Sequence, residues 1–201
     1  MAKFKNLIIF GIAITFIGLM MYSLSGDEEA YIQSIKSERQ TYYSDLINNS
    51  RGPFSGEDSI HDLNFYEPKI KFRVRAQVKL NSYPEKTIIV STDGTKKTYL
   101  HLADLEFNLN DSNHFLALFR NENNIADFFL PFKDATNQKS TYGAGRYLPI
   151  EFNGETEIEI DFNRAFNPYC AYNDKYACPI PPEQNTLSIK IEAGEKTYKN
   201  H

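Results

Sequence analysis

Six apolar residues, Ile70, Phe72, Val74, Ala76, Val78 and Leu80, alternate with charged or polar neighbours. That period of two predicts a half-buried antiparallel strand. A second run, TIIVST, leads into Asp93-Gly94, the strongest short hairpin signal a sequence carries. The return strand would set Tyr99, His101, Ala103, Leu105, Phe107 and Leu109 on one face. HFLALFR and IADFFLPF, joined by a polar NENN turn, predict another pair, and EFNGETEIEIDFN and TLSIKIEAG alternate again. Short strands linked by turn chemistry predict a mainly β domain, an antiparallel sandwich or a partly open barrel. No strand–helix alternation supports a Rossmann-like core.

Ahead of the strands the period changes. Asp27, Glu28 and Glu29 suit a helix N-terminus, and Tyr31, Ile35, Tyr42 and Leu46 fall on one apolar stripe. Ser50, Gly52 and Pro53 end it. Residues 27–52 therefore read as a short amphipathic connector helix ahead of a β domain over residues 53–201. Earlier still, Leu7 to Leu24 carries no charge. At ~1.5 Å per residue it would span about 27 Å, close to the roughly 30 Å of a bilayer core. Residues 1–26 thus predict an N-terminal transmembrane helix acting as a signal anchor. A cleaved signal peptide is the competitor, with Ser23 and Ser25 as small residues before a cut. Lys3 and Lys5 precede the run and acidic residues follow it. The positive-inside rule then leaves a single-pass protein in the cytoplasmic membrane with its C-terminal domain outside. Cleavage would make that domain secreted or periplasmic.

The chain has 201 residues, 41% hydrophobic and 24% charged, which suits one domain with a proper core. Net charge is −4, and two of the lysines lie ahead of the apolar run, so the exported part is more acidic still. Nucleic acid is a poor partner for such a surface, because phosphate neutralisation drives that binding.

Residues 131–195 hold both cysteines and six of the nine prolines, together with a set of Tyr, Asn, Asp and Arg, the composition of loops that carry function on a scaffold. Arg146, Asp161, Asn163, Asn167 and Asn185 fall at strand ends and turns, where they can line a pocket for a polar ligand or brace loops. Gly143 and Gly145 should bend the chain so that Arg146 approaches Asp161. Tyr142, Tyr147, Tyr169, Tyr172 and Tyr176 add flat faces suited to ring-bearing ligands. Cys170 and Cys178, separated by seven residues, are expected to pair as a disulfide in an exported domain. A reactive thiol, or two buried thiols in a cytoplasmic domain, are the other readings. His61, His101, His114 and His201 are too scattered for a zinc site, so no metal or cofactor is expected. Neither a nucleophile elbow nor a P-loop is present.

The string PF-x-D-x-T, TYGAGRYL, DFN-x-A-x-NPYCAY, CP-x-PP, N-x-L and AGE resembles a bacterial family catalogued as domain of unknown function family 1684. The resemblance runs from the helix around Glu38-Arg39 to Glu195 and implies no established activity. Its pattern falls on Asp134, Tyr142, Arg146, Asp161, Asn163, Asn167, Cys170, Cys178 and Asn185. Two positions depart from it. Pro149 stands where an acidic residue is usual, and Gln184 stands where a Glu is usual, with Glu183 one position earlier. Gln cannot exchange a proton, which weakens any mechanism needing paired carboxylates.

The expected function is a membrane-tethered extracytoplasmic β domain that binds a polar small molecule or a cell-envelope partner. A hydrolase using Asp161 or Glu183 as base, with Arg146 on an oxyanion, is one alternative. A purely structural envelope or assembly role is the other.

Overall fold

The computed structural model describes residues 26–55, 62–124 and 126–198. Residues 26–48 form one helix, α1. Its predicted stripe faces the protein, with Ile35 and Leu46 buried and Tyr31 and Tyr42 half-buried. The helix ends in a turn where the Gly52 N–H donates to Asn49 O at 2.8 Å. Among the described residues no helix is long and apolar enough to cross a membrane. The run over residues 7–24, and with it the anchor or signal peptide, lies outside the described residues.

Six strands follow: β1 Arg73–Val90, β2 Lys96–Leu109, β3 Ser112–Asn121, β4 Phe128–Phe132, β5 Arg146–Leu148 and β6 Glu157–Asp161. They form one antiparallel sheet in the order β5-β4-β3-β2-β1-β6. Asp93-Gly94 turns β1 into β2 as expected. Gly94 sits at φ +82° with no atom near a would-be Cβ, so its backbone alone demands glycine.

Among the described residues no second sheet of a sandwich forms, and the six strands make the half-barrel sheet of the partly open alternative. One face of the sheet carries a core of Phe72, Val74, Ala76, Leu105, Phe107, Leu116, Leu118, Ile158 and Ile160. That core is closed by the segment after β4, which supplies Phe162, Leu187, Ile191 and Ala193. Each large aliphatic or aromatic side chain so buried stabilises the fold by about 1.5–3 kcal/mol. β3 also buries its other face, where Ala117 and Phe119 meet Ile89 and Tyr99.

Two bulges move residues off their predicted faces. β1 pairs Leu80 with Ala103 and then Glu85 with His101, so residues 81–84 have no ladder partner. Pro84, lacking an N–H, sits in that bulge. Leu80, expected inside, is 54% exposed. A matching irregularity between His101 and Ala103 leaves Ala103 in the larger core and shifts Tyr99 to the smaller one. Ile70 begins a 3-10 turn, Ile70–Phe72, instead of a strand, and is 40% exposed.

The largest correction concerns TLSIKIEAG. Its alternation survives as burial, because Leu187, Ile191 and Ala193 point into the core and Ile189 packs against it. Yet no strand forms there; one bridge joins Lys133 to Thr186. The backbone groups of this extended segment are satisfied partly by the backbone of residues 66, 133 and 135 and partly by side chains.

Candidate functional site

Arg146 leaves β5 with its whole side chain buried. Its Nη2 lies 3.1 Å from Asp134 Oδ1, with both side chains at 0% exposure. The same guanidinium donates to the carbonyls of Ile191 (3.0 Å), Ala193 and Glu195 (3.2 Å). Alternate carbonyls of an extended chain point the same way, so one planar fork collects three of them. Asp134 completes the pairing by accepting the Ile191 N–H at 2.8 Å. It also accepts the Thr136 N–H at 3.1 Å and the Thr136 hydroxyl. The ion pair therefore stands where a seventh strand would be. Burial pushes the Arg146 pKa down and the Asp134 charge opposes the shift. Gly145, at φ +106°, permits the approach, since a Cβ there would lie 2.7 Å from Pro181 Cγ and 2.8 Å from Phe132 O.

Arg146 does not meet Asp161. β5 and β6 are the opposite edges of the sheet. Asp161 instead accepts from the Tyr31 hydroxyl of α1, 3.0 Å to each oxygen, and from the Asn163 N–H at 3.0 Å. Asn163 exchanges hydrogen bonds with the backbone of Lys69 and donates to the Tyr31 oxygen at 2.8 Å. This node latches α1 to the end of β6. Burial and the Asp161 charge push the Tyr31 hydroxyl pKa up.

Asn185 fills a gap in the sheet. In the β3–β4 ladder Phe119 faces Phe129 and Arg120 faces Phe128, so Ala117 falls opposite Pro131. Pro131 has no N–H to give. The Asn185 carboxamide inserts there, accepting from Ala117 N (2.8 Å) and donating to Ala117 O (2.9 Å) and Pro131 O (2.7 Å).

Asn167 belongs to a fourth node. Its N–H donates to Glu195 Oε2 at 2.9 Å, and its Nδ2 donates to Lys196 O. Glu195 is fully buried, and its carboxylate also receives the Tyr172 hydroxyl at 2.7–2.8 Å. Tyr172 in turn meets the Tyr42 hydroxyl of α1 at 3.2 Å. Desolvation pushes the Glu195 carboxyl up to about 7 against the pull of its hydrogen bonds. Glu195, Tyr172 and Tyr42 were not among the expected cluster; they appeared in the sequence only separately, in the AGE motif, in NPYCAY and on the apolar stripe of the helix.

Cys170 and Cys178, expected as a disulfide, stand as two free buried thiols. The Cys170 N–H uses Cys178 Sγ as acceptor at 3.2 Å, and the Tyr142 hydroxyl donates to Cys170 Sγ at 3.6 Å. Of the tyrosines expected to offer flat faces, Tyr147, Tyr169, Tyr172 and Tyr176 pack on other rings, as Tyr169 on Tyr176 (5.3 Å) and Tyr147 on Phe129 (4.8 Å).

The hydrolase arrangement is not assembled. Arg146 is enclosed, Glu183 is exposed on a 3-10 turn, and Asp161 is tied to α1. No group of three or more His, Cys, Asp or Glu among the described residues could hold a metal ion. An open cleft of about 230 Å³ lies between α1 and the chain after β5. Ile35, Tyr42, Phe65, Ala165 and Phe166 give it apolar walls. Arg39, Glu38 and Arg164 also line it, the last two paired at 2.9 Å. Arg39 lies over the Phe65 ring at 4.6 Å and donates to Tyr66 O and Asn163 O. Its Nε–H is buried with no acceptor among the described residues.

Among the described residues, a single open antiparallel sheet, closed by an extended segment that side chains and backbone together hold in place, defines a small β scaffold with α1 docked on its loops. The chain belongs to the family described as protein of unknown function (DUF1684), whose model matches residues 58–196. It is similar to an uncharacterized protein of Haloarcula marismortui with a solution NMR structure, at 33% identity and a TM-score of 0.66. The match covers 86% of this chain and 97% of that one. No curated protein matches the chain.

Proposed function

We propose that this protein is a membrane-tethered extracytoplasmic binding domain, and that its ligand is a small amphipathic anion held in the cleft beneath α1. The observation that carries the reading is the contrast between the buried polar cluster and the cleft. Asp134, Asn163 and Asn185 already use their hydrogen-bonding groups on the protein's own backbone, and Arg146, whose Nε–H also lacks an acceptor among the described residues, is enclosed with no exposure. The cleft is open, with apolar walls, Arg39 and Arg164 beside Glu38, and in the Arg39 Nε–H a buried donor without an acceptor among the described residues. An aryl or short acyl group would fill about 230 Å³, and a carboxylate would meet Arg39 and Arg164. The tether rests on the uncharged run from Leu7 to Leu24 and the charges that flank it.

Benzoate, titrated into labelled protein by NMR, tests the cleft. Saturable shifts at Ile35, Phe65 and Ala165, lost in Arg164→Glu with the melting temperature retained, are expected. Shifts scattered over the surface, or unchanged by Arg164→Glu, would remove the cleft as the site.

A further inference from the structure

We propose that Cys170 and Cys178 form a reversible dithiol–disulfide site, oxidised by hydrogen peroxide through Cys170 and resolved by Cys178. The two sulfurs belong to one packed unit. Cys178 Sγ lies 3.2 Å from the Cys170 backbone nitrogen, whose N–H donates to it. Cys178 is fixed by a two-way contact with the β1–β2 turn. Its N–H donates to Thr92 Oγ1 at 3.2 Å and its carbonyl accepts the Thr92 N–H at 2.9 Å.

The surroundings of the two sulfurs differ, and the difference assigns their roles. Cys170 Sγ receives the Tyr142 hydroxyl at 3.6 Å, whereas Cys178 Sγ accepts the Cys170 backbone N–H at 3.2 Å. A hydroxyl donor on the Cys170 sulfur favours its thiolate. The Cys178 hydrogen bond comes first in holding Cys170 below the ordinary thiol range, and Tyr142 and Thr92 add to it against burial. Cys178 moves the other way, because its proton is shared with Cys170 and it is buried. Cys170 is the nucleophile and Cys178 the proton-bearing partner. With the two residues 6% and 8% exposed, a bulky oxidant is excluded and a peroxide-sized one is selected.

The chemistry balances without a further reactant. Cys170 thiolate attacks one peroxide oxygen, the S–O bond forms, the O–O bond breaks, and hydroxide leaves with a proton as water. Cys178 sulfur then attacks the Cys170 sulfenic acid, the S–S bond forms, the S–O bond breaks, and the departing hydroxide takes the Cys178 proton as a second water. Two thiols are oxidised and one peroxide is reduced. A small dithiol returns the pair to its starting state by exchange.

The loop between the two cysteines gives the switch an output. Tyr172 bonds Tyr42 of α1, Asn173 Nδ2 donates to Pro53 O at 3.0 Å, and the Tyr176 hydroxyl donates to Gly52 O at 2.8 Å. That loop clasps the end of α1, and a covalent bond across its base holds the clasp closed.

The full chain, purified under dithiothreitol and then freed of it, is exposed to stoichiometric hydrogen peroxide. Titratable thiols should fall from two to none in the monomer, with two hydrogens lost by mass and recovered on reduction. Cys178→Ser should accumulate a dimedone adduct on Cys170, whereas Cys170→Ser should give none. Tyr142→Phe, which leaves both sulfurs in place, should move the pH midpoint of the oxidation rate upward. Two thiols still titrating after peroxide, a bond formed between chains, or equal labelling of the two serine variants would overturn the proposal.

Discussion

The Arg146 guanidinium and the Asp134 carboxylate lie 3.1 Å apart with neither side chain exposed to solvent, and together they bind the backbone of residues 191–195 as a strand would. A buried ion pair by itself is weak evidence for stability, because desolvation offsets the attraction. Here the pair also removes four backbone groups from the list of buried polar atoms that would otherwise lack partners. Each such group costs about 1–3 kcal/mol when left unmade. The value of the pair lies in what it satisfies.

Asn185 offers the cleanest test of side chains standing in for a ladder. Asn185→Ala strips partners from Ala117 N, Ala117 O and Pro131 O at once, at about 1–3 kcal/mol for each group that stays dry. The expected loss in urea denaturation is 3 kcal/mol or more, at the order of magnitude those costs allow. Asn185→Asp should do no better, since a carboxylate cannot donate to the two carbonyls. A loss within about 0.5 kcal/mol, the range of an ordinary surface change, would mean that water replaces the amide.

Glu195 makes stability depend on pH. Its carboxyl binds a proton more tightly when folded, with the pKa raised from 4.5 to about 7. The associated stability is fully present below the unfolded value and is lost as pH rises through the folded one. That loss amounts to about 3 kcal/mol between pH 4.5 and pH 8. Glu195→Gln should flatten this part of the profile and exceed the natural chain in stability at pH 8. Two parallel profiles from denaturation at a series of pH values would show that Glu195 does not titrate there.

Tyr31 should act on α1 and little else. Tyr31→Phe removes the hydroxyl that joins Asp161 and Asn163, a hydrogen bond to a charged group worth about 1.5–3 kcal/mol. Faster amide exchange along residues 30–46, with β2 and β3 unchanged, is the expected pattern. Uniform loosening of the whole domain would place the latch elsewhere.

The sheet was legible in the sequence wherever local pattern decides structure. Period-two alternation located β1, β2 and β6, the apolar runs on either side of the NENN turn located β3 and β4, and Asp93-Gly94 located the first turn. The stripe of Tyr31, Ile35, Tyr42 and Leu46 located α1. The bulge at residues 81–84 was not legible, because alternation stops at Leu80 and the polar stretch NSYPEK carries no period from which a register could be taken. The segment over residues 186–194 carried the burial pattern of a strand without a strand beside it, and periodicity reports burial, not pairing. The polar residues of the candidate cluster stood out as types, but their partners did not. Arg146 and Asp161 are near in sequence and on opposite sheet edges, whereas Asp134 and Ile191 are 57 residues apart and in contact.

The role of Arg146 and Asp134 as a substitute strand is tested most directly by replacing both at once with apolar residues of similar size. In Arg146→Met with Asp134→Leu, no charge is left unpaired, so a pair that mattered only as an ion pair should be replaced at little cost or with a gain. A substitute strand cannot be replaced that way, because the Ile191 N–H and the carbonyls of Ile191, Ala193 and Glu195 lose their partners. Hydrogen exchange on the double variant should show protection lost over residues 187–195 and kept in β2 and β3, with global stability down by about 3 kcal/mol or more. Natural protection over residues 187–195 together with natural stability would contradict it.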